Sequence, residues 1–439
     1  MVAVPCTVHK PNGYSSLIMR HLSFTERRIV CDYLRALRNE IAVDEKALAL
    51  SGLPPRAQVR LPRPALWLSM GRKAAWILPF FKEAAGVLWR VFGAVYFGFQ
   101  RNSLHGLDSA RLQPQLGGQI LALSSRCGDI VHAGHIKPLP SQWLTLPWAP
   151  LGPLPEGAQQ TPMLSLLSDE DMDRALRLAR CAHRVVHRRR KLRVWGLQTY
   201  TALRWFAVRF VIDKLPGPLL MVEHFDRWAV LVDSSVAASR RNDRSRYLTL
   251  MQHGSVGAEE NYSALNVNLP SRLRAVAHLH VYSDADAAVF RRSILSTSCE
   301  HRGVEVSYFR PRIELIKFTA ETTKPRVLFV GHPLCEALHL RVLETLLLQQ
   351  DVLAYYKPHP VAAKNSAAVF QQVWTVIEGR GEFPEVDLLV SYPSTMVQEY
   401  KTHGVAAVVH PIDLGADNAA DLVVEIAKQL NQRHIHAKS

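Results

Sequence analysis

Several familiar signatures are missing from this chain of 439 residues. It has no G-x-x-x-x-G-K-S/T loop and no G-x-G-x-x-G fingerprint, so any nucleotide must be held by another arrangement. The nucleophile elbow G-x-S-x-G and the metallopeptidase pattern H-E-x-x-H are absent too. Cysteine is scarce: six residues, at 6, 31, 127, 181, 299 and 335, none forming a close pair. That spacing excludes a zinc-finger pattern and a compact disulfide framework, and it fits a reducing, cytoplasmic setting. The start of the chain lacks an apolar signal core, so no secretory leader is expected. Carboxylates are in deficit, with 38 Asp and Glu against 53 Lys and Arg, for a formal net charge of +15. A surplus of that size favours anionic partners: nucleic acid, acidic lipid or anionic substrates.

What is present is a hydrophobic fraction of 48%, enough for a large core. Residues 1–105 read as a helical, aromatic and basic extension, helix-like from Phe24 to Leu50. Within it, residues 64–101 interleave Trp67, Trp76, Phe80, Trp89, Phe92 and Phe99 with Lys73, Lys82, Arg90 and Arg101. Charges recur too often for a membrane span, and Pro79 interrupts the segment. It suits either an amphipathic stretch lying in a lipid interface or a helical hairpin packed on the body of the protein. Residues 106–165, rich in Pro, Gly and Leu, read as irregular, with 146–157 as a linker or lid. A basic helix follows, running through Arg174, Arg177, Arg180, Arg184 and Arg188 to Arg193, with Asp169 to Asp173 at its start to complement the dipole. It reads as a solvated face or as a surface for an anionic acceptor or lipid. His183 and His187 share a face of it at i, i+4, but no carboxylate or third ligand accompanies them.

From about residue 195 a β/α alternation sets in. Strands are expected at 219–224, 246–253, 277–283 and 304–309, with helices at 226–241 and 284–295. After a polar break, Thr319 to Pro325, it restarts with strands at 327–331, 352–357, 388–391 and 405–410 and helices at 336–350, 393–403 and 421–432. Short strands separated by helix-length segments predict parallel sheets. The fold class is therefore α/β, with two Rossmann-like domains, 106–318 and 319–439, facing a cleft, behind the N-terminal helical extension of 1–105.

Ligands of open parallel sheets bind outside the carboxyl ends of the strands, which directs attention to the residues there. Lys357-Pro358-His359-Pro360 ends one strand on a stiff turn, since the prolines stop it. His359 is presented there to donate to a phosphate or to protonate a leaving group. Ser394 and Thr395 open the next helix after Pro393, and two hydroxyls with helix-start N–H groups suit a phosphate. Glu399, one turn on, can accept from a sugar hydroxyl. On the other side, His253-Gly254 ends a strand, and Glu259 and Glu260 follow in its loop. Glu223, His224 and Asp226 end the strand before it. Asp284 and Asp286 form a D-x-D, which fits a helix cap and first turn better than a metal site.

These motifs resemble known families. K-P-H-P followed by a strand and S-x-P-S-T is similar to the HP and S/T motifs of bacterial sialyltransferases and capsular Kdo transferases. Gln252-His253-Gly254, K-P-H-P and SYPST-xxx-E together also resemble the pattern of CDP-glycerol glycerophosphotransferases, although Ser391 replaces its Asp and Pro393 its first Ser. Both groups share the GT-B fold and use cytidine nucleotides. The resemblance implies that His359, Ser394 and Thr395 bind the donor phosphate and that His253 or a carboxylate such as Glu259 or Glu260 is the base; Lys357 beside the phosphate and Glu399 beside the nucleotide complete the expected site. It implies a metal-independent transfer from a CMP-sugar, with no separate cofactor, to a surface polysaccharide or glycolipid. The expected location is the cytoplasm or the inner membrane face, with an anionic membrane as a partner. CDP-polyol transfer, or a non-catalytic basic protein, are the alternatives. Nucleic acid is disfavoured, because the basic residues lack interleaved stacking aromatics.

Overall fold

The computed structural model describes residues 19–50, 60, 62, 78–104, 118–133, 140, 142–152, 154–240, 243–254, 256, 269–310, 313–318, 323–359, 367–370, 373–379 and 381–436. Two parallel sheets dominate. The first has seven strands in the order β3-β2-β1-β4-β5-β6-β7. Its members are β1 (Gln119–Ala122), β2 (Gln142–Thr145), β3 (Gln159–Pro162), β4 (Leu219–Met221), β5 (Leu248–Met251), β6 (Val276–Val281) and β7 (Glu305–Tyr308). The second has five, in the order β11-β10-β9-β13-β14, from β9 (Arg326–Val330), β10 (Leu353–Lys357), β11 (Thr375–Val376), β13 (Leu388–Ser391) and β14 (Ala406–Val409). A small parallel pair joins β8 (Leu315–Ile316) to β12 (Phe383–Pro384). In each large sheet the chain runs outward one way and then returns to the other side of its first strand, the Rossmann-like order.

Sheets of this kind are covered on both faces, so successive residues of a strand must alternate between two cores. They do. In β1, Leu121 joins the core that contains most of the helices, while Ile120 and Ala122 face Val131 and Trp143. In β9, Val327 and Phe329 meet α8 (Glu336–Leu347) and α10 (Ala419–His436), while Leu328 and Val330 meet Tyr400 of α9 (Thr395–Lys401). The helices over the larger sheet are α1 (Phe24–Leu50), α2 (Leu78–Leu104), α4 (Asp169–Arg188), α5 (Ala202–Lys214) and α6 (Arg227–Ser239). The short α3 (Cys127–Ala133) follows β1, and α7 (Asp284–Val289) follows β6.

One expectation is corrected. Residues 119–122, 127–133, 142–145 and 159–162 are not irregular: they supply β1, α3, β2 and β3, three of the seven strands. Each is only four residues long, and β1 and β2 both begin with a buried Gln rather than a β-branched residue. Residues 146–157 are the β2–β3 connection, and Trp148 within it stacks on Trp228. Two other features are structural. Ser283 accepts from the Asp286 N–H and caps α7, so the D-x-D is a helix start. His183 lies against Thr199 at 3.0 Å and against the His187 ring at 4.3 Å, inside the contact between α4 and α2.

Candidate functional site

The residues after the carboxyl ends of β1, β4 and β5 form one half of the site. Gln252 is fully buried and locks the turn that follows β5: its amide donates to Gly254 O and accepts from the Tyr282 N–H, both at 2.9 Å. His253 is thereby fixed. Its Nδ1 donates to the Val222 carbonyl, and its ring stacks on His224 at 3.8 Å. A carbonyl only accepts, so the proton sits on Nδ1 and Nε2 keeps its lone pair. His224 Nε2 in turn accepts from the His253 N–H at 2.9 Å. Burial, the His224 ring and Arg126 hold His253 well below the usual imidazole range, so it is neutral at pH 7. Glu223 beside them is wholly buried with both carboxylate oxygens unpartnered. Burial and the neighbouring Asp226 push it up to about 7.

The second half is built after β9, β10 and β13. Neighbouring strands lie about 4.8 Å apart, so these three ends occupy about 10 Å of one edge. His332 follows β9 and stands between the two motifs, its ring 5.2 Å from His359 on one side and 5.2 Å from Tyr392 on the other. Its Nδ1 accepts from the Leu334 N–H at 3.2 Å, which leaves the proton on Nε2. Burial, then His359, hold it near 3. Burial and Arg126 bring His359 down to about 4, so its imidazole is neutral at pH 7. Ser391 donates to Tyr392 O at 2.6 Å and lies 3.0 Å from Ser394 Oγ, so Ser394 is the donor of that pair. Ser394 is the N-cap of α9 without a side-chain capping bond. That helix has only seven residues, so side chains rather than its dipole must hold an anion.

Lys357 has a different setting from that of an open cation. Its Nζ donates to Gly379 O and Glu382 O, each at 2.7 Å, and stands over the Phe383 ring. It ties down the loop before β12, and burial lowers it to about 8. Glu399 is pushed up to about 7 by burial, against the pull of Lys357. Glu259 and Glu260 lie outside the described residues.

The two halves meet. A Cβ placed on Gly254 would lie 3.6 Å from Thr395 Oγ1, an ordinary van der Waals contact. Tyr282, after β6, is raised by burial and then by Glu399 across the same gap. Arg126 completes the arrangement. It sits exposed between β1 and α3, and its charge bears on Glu223, His224 and His253 of one sheet and on His359 of the other. Both sheets thus present their point of strand reversal, β1 beside β4 and β9 beside β13, where open α/β sheets bind ligands. Arg126, His332 and Tyr392 were not among the sequence candidates. Arg126 was hidden in a segment read as irregular, although I-L-A-L-S-S-R-C-G is a strand, a turn and a helix start. His332-Pro333 repeats the His359-Pro360 signal one strand earlier.

A second cluster lies deeper. Cys335, His339 and His410 are buried, with ligand atoms within 4.8 Å of one another. The two imidazoles are hydrogen-bonded Nε2 to Nε2 at 2.7 Å. Two nitrogens on one tetrahedral zinc would sit about 3.3 Å apart. The His410 Nδ1 donates to Pro411 O at 2.8 Å, so His339 Nε2 donates to His410. This is a proton-sharing pair packed against Phe329, and a metal would have to break it.

No protein-family model matches the chain, and no curated protein matches it.

Proposed function

We propose that the chain is a glycosyltransferase of the GT-B kind, its domains 106–318 and 319–439 closing on a nucleotide-sugar donor from opposite sides. The approach of Gly254 to Thr395 carries this reading, because it brings the turn after β5 against the hydroxyls at the start of α9. An anionic leaving group between them meets Arg126, His359, Thr395 and Ser394, whose hydroxyl turns from Ser391 to donate to it. The acceptor hydroxyl oxygen bonds to the anomeric carbon while the bond from that carbon to the phosphate oxygen breaks. The electron pair leaves with the phosphate, and the hydroxyl proton passes to Nε2 of His253. The fixed Nδ1–H keeps the Nε2 lone pair of neutral His253 available to take that proton. Donors aimed at the developing phosphate charge stabilise the transition state, each by about 10²–10³ in rate. The reading needs no metal, since Arg126 and the imidazole and hydroxyl donors face the phosphate. Glu399 accepts from a donor hydroxyl once ionised.

The motif resemblance makes the donor a CMP-sugar of sialic acid or Kdo type and the acceptor a surface polysaccharide or glycolipid. A donor-hydrolysis screen across CMP-, CDP-, UDP- and GDP-sugars tests this, with His359→Ala as control. Turnover of a CMP-sugar, lowered about 10²-fold in the variant, is expected. Turnover of UDP- or GDP-sugars alone would overturn the cytidine assignment, and no turnover of any donor would overturn the enzyme. The His253-Gly254 turn also favours transfer of a polyol phosphate from a CDP-polyol. In that case CDP-polyols turn over and phosphorus analysis finds phosphate in the product.

A further inference from the structure

Helix α2 has two apolar faces, and among the described residues only one is packed. The inner face docks on α4: Phe97 is fully buried, Trp89 Nε1 donates to Thr199 Oγ1 at 2.8 Å, and Gly93 admits the His183 ring. The outer face repeats at i, i+4 through Leu88 and Phe92 and through Val91, Val95 and Phe99. These side chains stand in solvent: Phe80 is 75% exposed, Phe92 56% and Phe99 71%. A contiguous apolar stripe of this length on a folded chain marks an interaction surface. No helix among the described residues is long and apolar enough to cross a membrane.

Charge identifies the partner. Arg180, Arg184 and Arg188 form an exposed i, i+4 row on α4, the helix on which α2 is seated, and Arg90 is exposed on α2 itself. Arg180 Nε donates to Ala94 O at 3.3 Å, so this row runs along the edge of the apolar face. Between the two helices lies a groove of about 560 Å³, lined by Ala94, Gly98, Phe99, Arg101, Leu176 and Arg180. It sets Arg180, and Arg101 paired with Asp173 at 2.8 Å, beside an apolar wall, where a phospholipid headgroup meets cations and its first methylenes meet rings. Apolar rings beneath a cationic flank are the features of a helix lying in an anionic lipid interface.

From this juxtaposition we infer that α2 and the arginine row of α4 form a docking surface for an anionic bilayer. The inference does not depend on the transfer reaction. Co-sedimentation of the full chain with phosphatidylglycerol–phosphatidylcholine vesicles, and with phosphatidylcholine alone, tests it. Binding is expected to the anionic vesicles, weakened by salt. The double variant Phe92→Ser/Phe99→Ser should lose at least about tenfold in partitioning, with an unchanged circular dichroism spectrum because both rings are exposed. Arg184→Glu/Arg188→Glu should lose the preference for anionic lipid. Failure to bind anionic vesicles, or equal binding by the serine variant, would overturn the inference. So would a dimer in sedimentation equilibrium, abolished by the same serine pair, without vesicle binding.

Discussion

Individual side chains in the cleft are set by where their protons must be. The Val222 carbonyl fixes His253 as a neutral Nδ1–H imidazole, and the Leu334 N–H fixes His332 as the opposite tautomer. Neither ring changes charge between pH 6 and 8, because burial depresses both. Glu399 does, since burial raises it to about 7. Only its carboxylate form is a strong acceptor. Donor kcat/KM should therefore rise with pH through about 7, and Glu399→Gln should flatten that limb. A limb unchanged in the variant would assign it to Glu223, which also titrates near 7. Pro358, Pro360 and the paired hydroxyls made the second half of this site legible in the sequence. Arg126 was not, because a lone arginine on an unrecognised turn carries no pattern; only the fold brings it between the sheets.

At the level of elements, α2 shows how a small residue seats a helix. A Cβ on Gly93 would come 2.6 Å from His183 Cε1, and that ring cannot retreat easily, being held to Thr199. Gly93→Ala should destabilise the chain by about 1–3 kcal/mol, read as a fall in thermal midpoint, whereas Gly86→Ala, which meets nothing within 4 Å, should not lower it. Elements with period and caps were readable from residues alone: α1 runs from Phe24 to Leu50 as its pattern implies, and β13 spans Leu388–Ser391. β1, β2 and β3 were not, because four-residue strands give too few alternations and their pairing comes from distant partners. The outer stripe of α2 was visible as a mixture of rings and charges. The sequence left packing and interface readings open, and the helix uses one face for packing while exposing the other.

For the whole molecule, burial of histidine is a prominent electrostatic feature. Among the described residues nine histidines, including His224, His253, His332, His339, His359 and His410, are held below the ordinary value, chiefly by burial. Their unfolded counterparts bind protons below about pH 6.5 while the folded ones do not. Stability from these groups is thus complete above that pH and is lost as pH falls toward the folded values. Urea midpoints should drop steeply between pH 6.5 and 4, and a flat profile would mean that the rings are solvated. Two Rossmann-like sheets were expected from the β/α alternation. How their edges meet was not, because that depends on single contacts such as Gly254 with Thr395. The most direct measurement is calorimetric titration of cytidine monophosphate into the full chain and into two variants, Arg126→Ala on the first sheet and His359→Ala on the second. If one anion is held between the sheets, both substitutions weaken the same binding event by about tenfold or more. Binding that ignores either one would contradict a shared site.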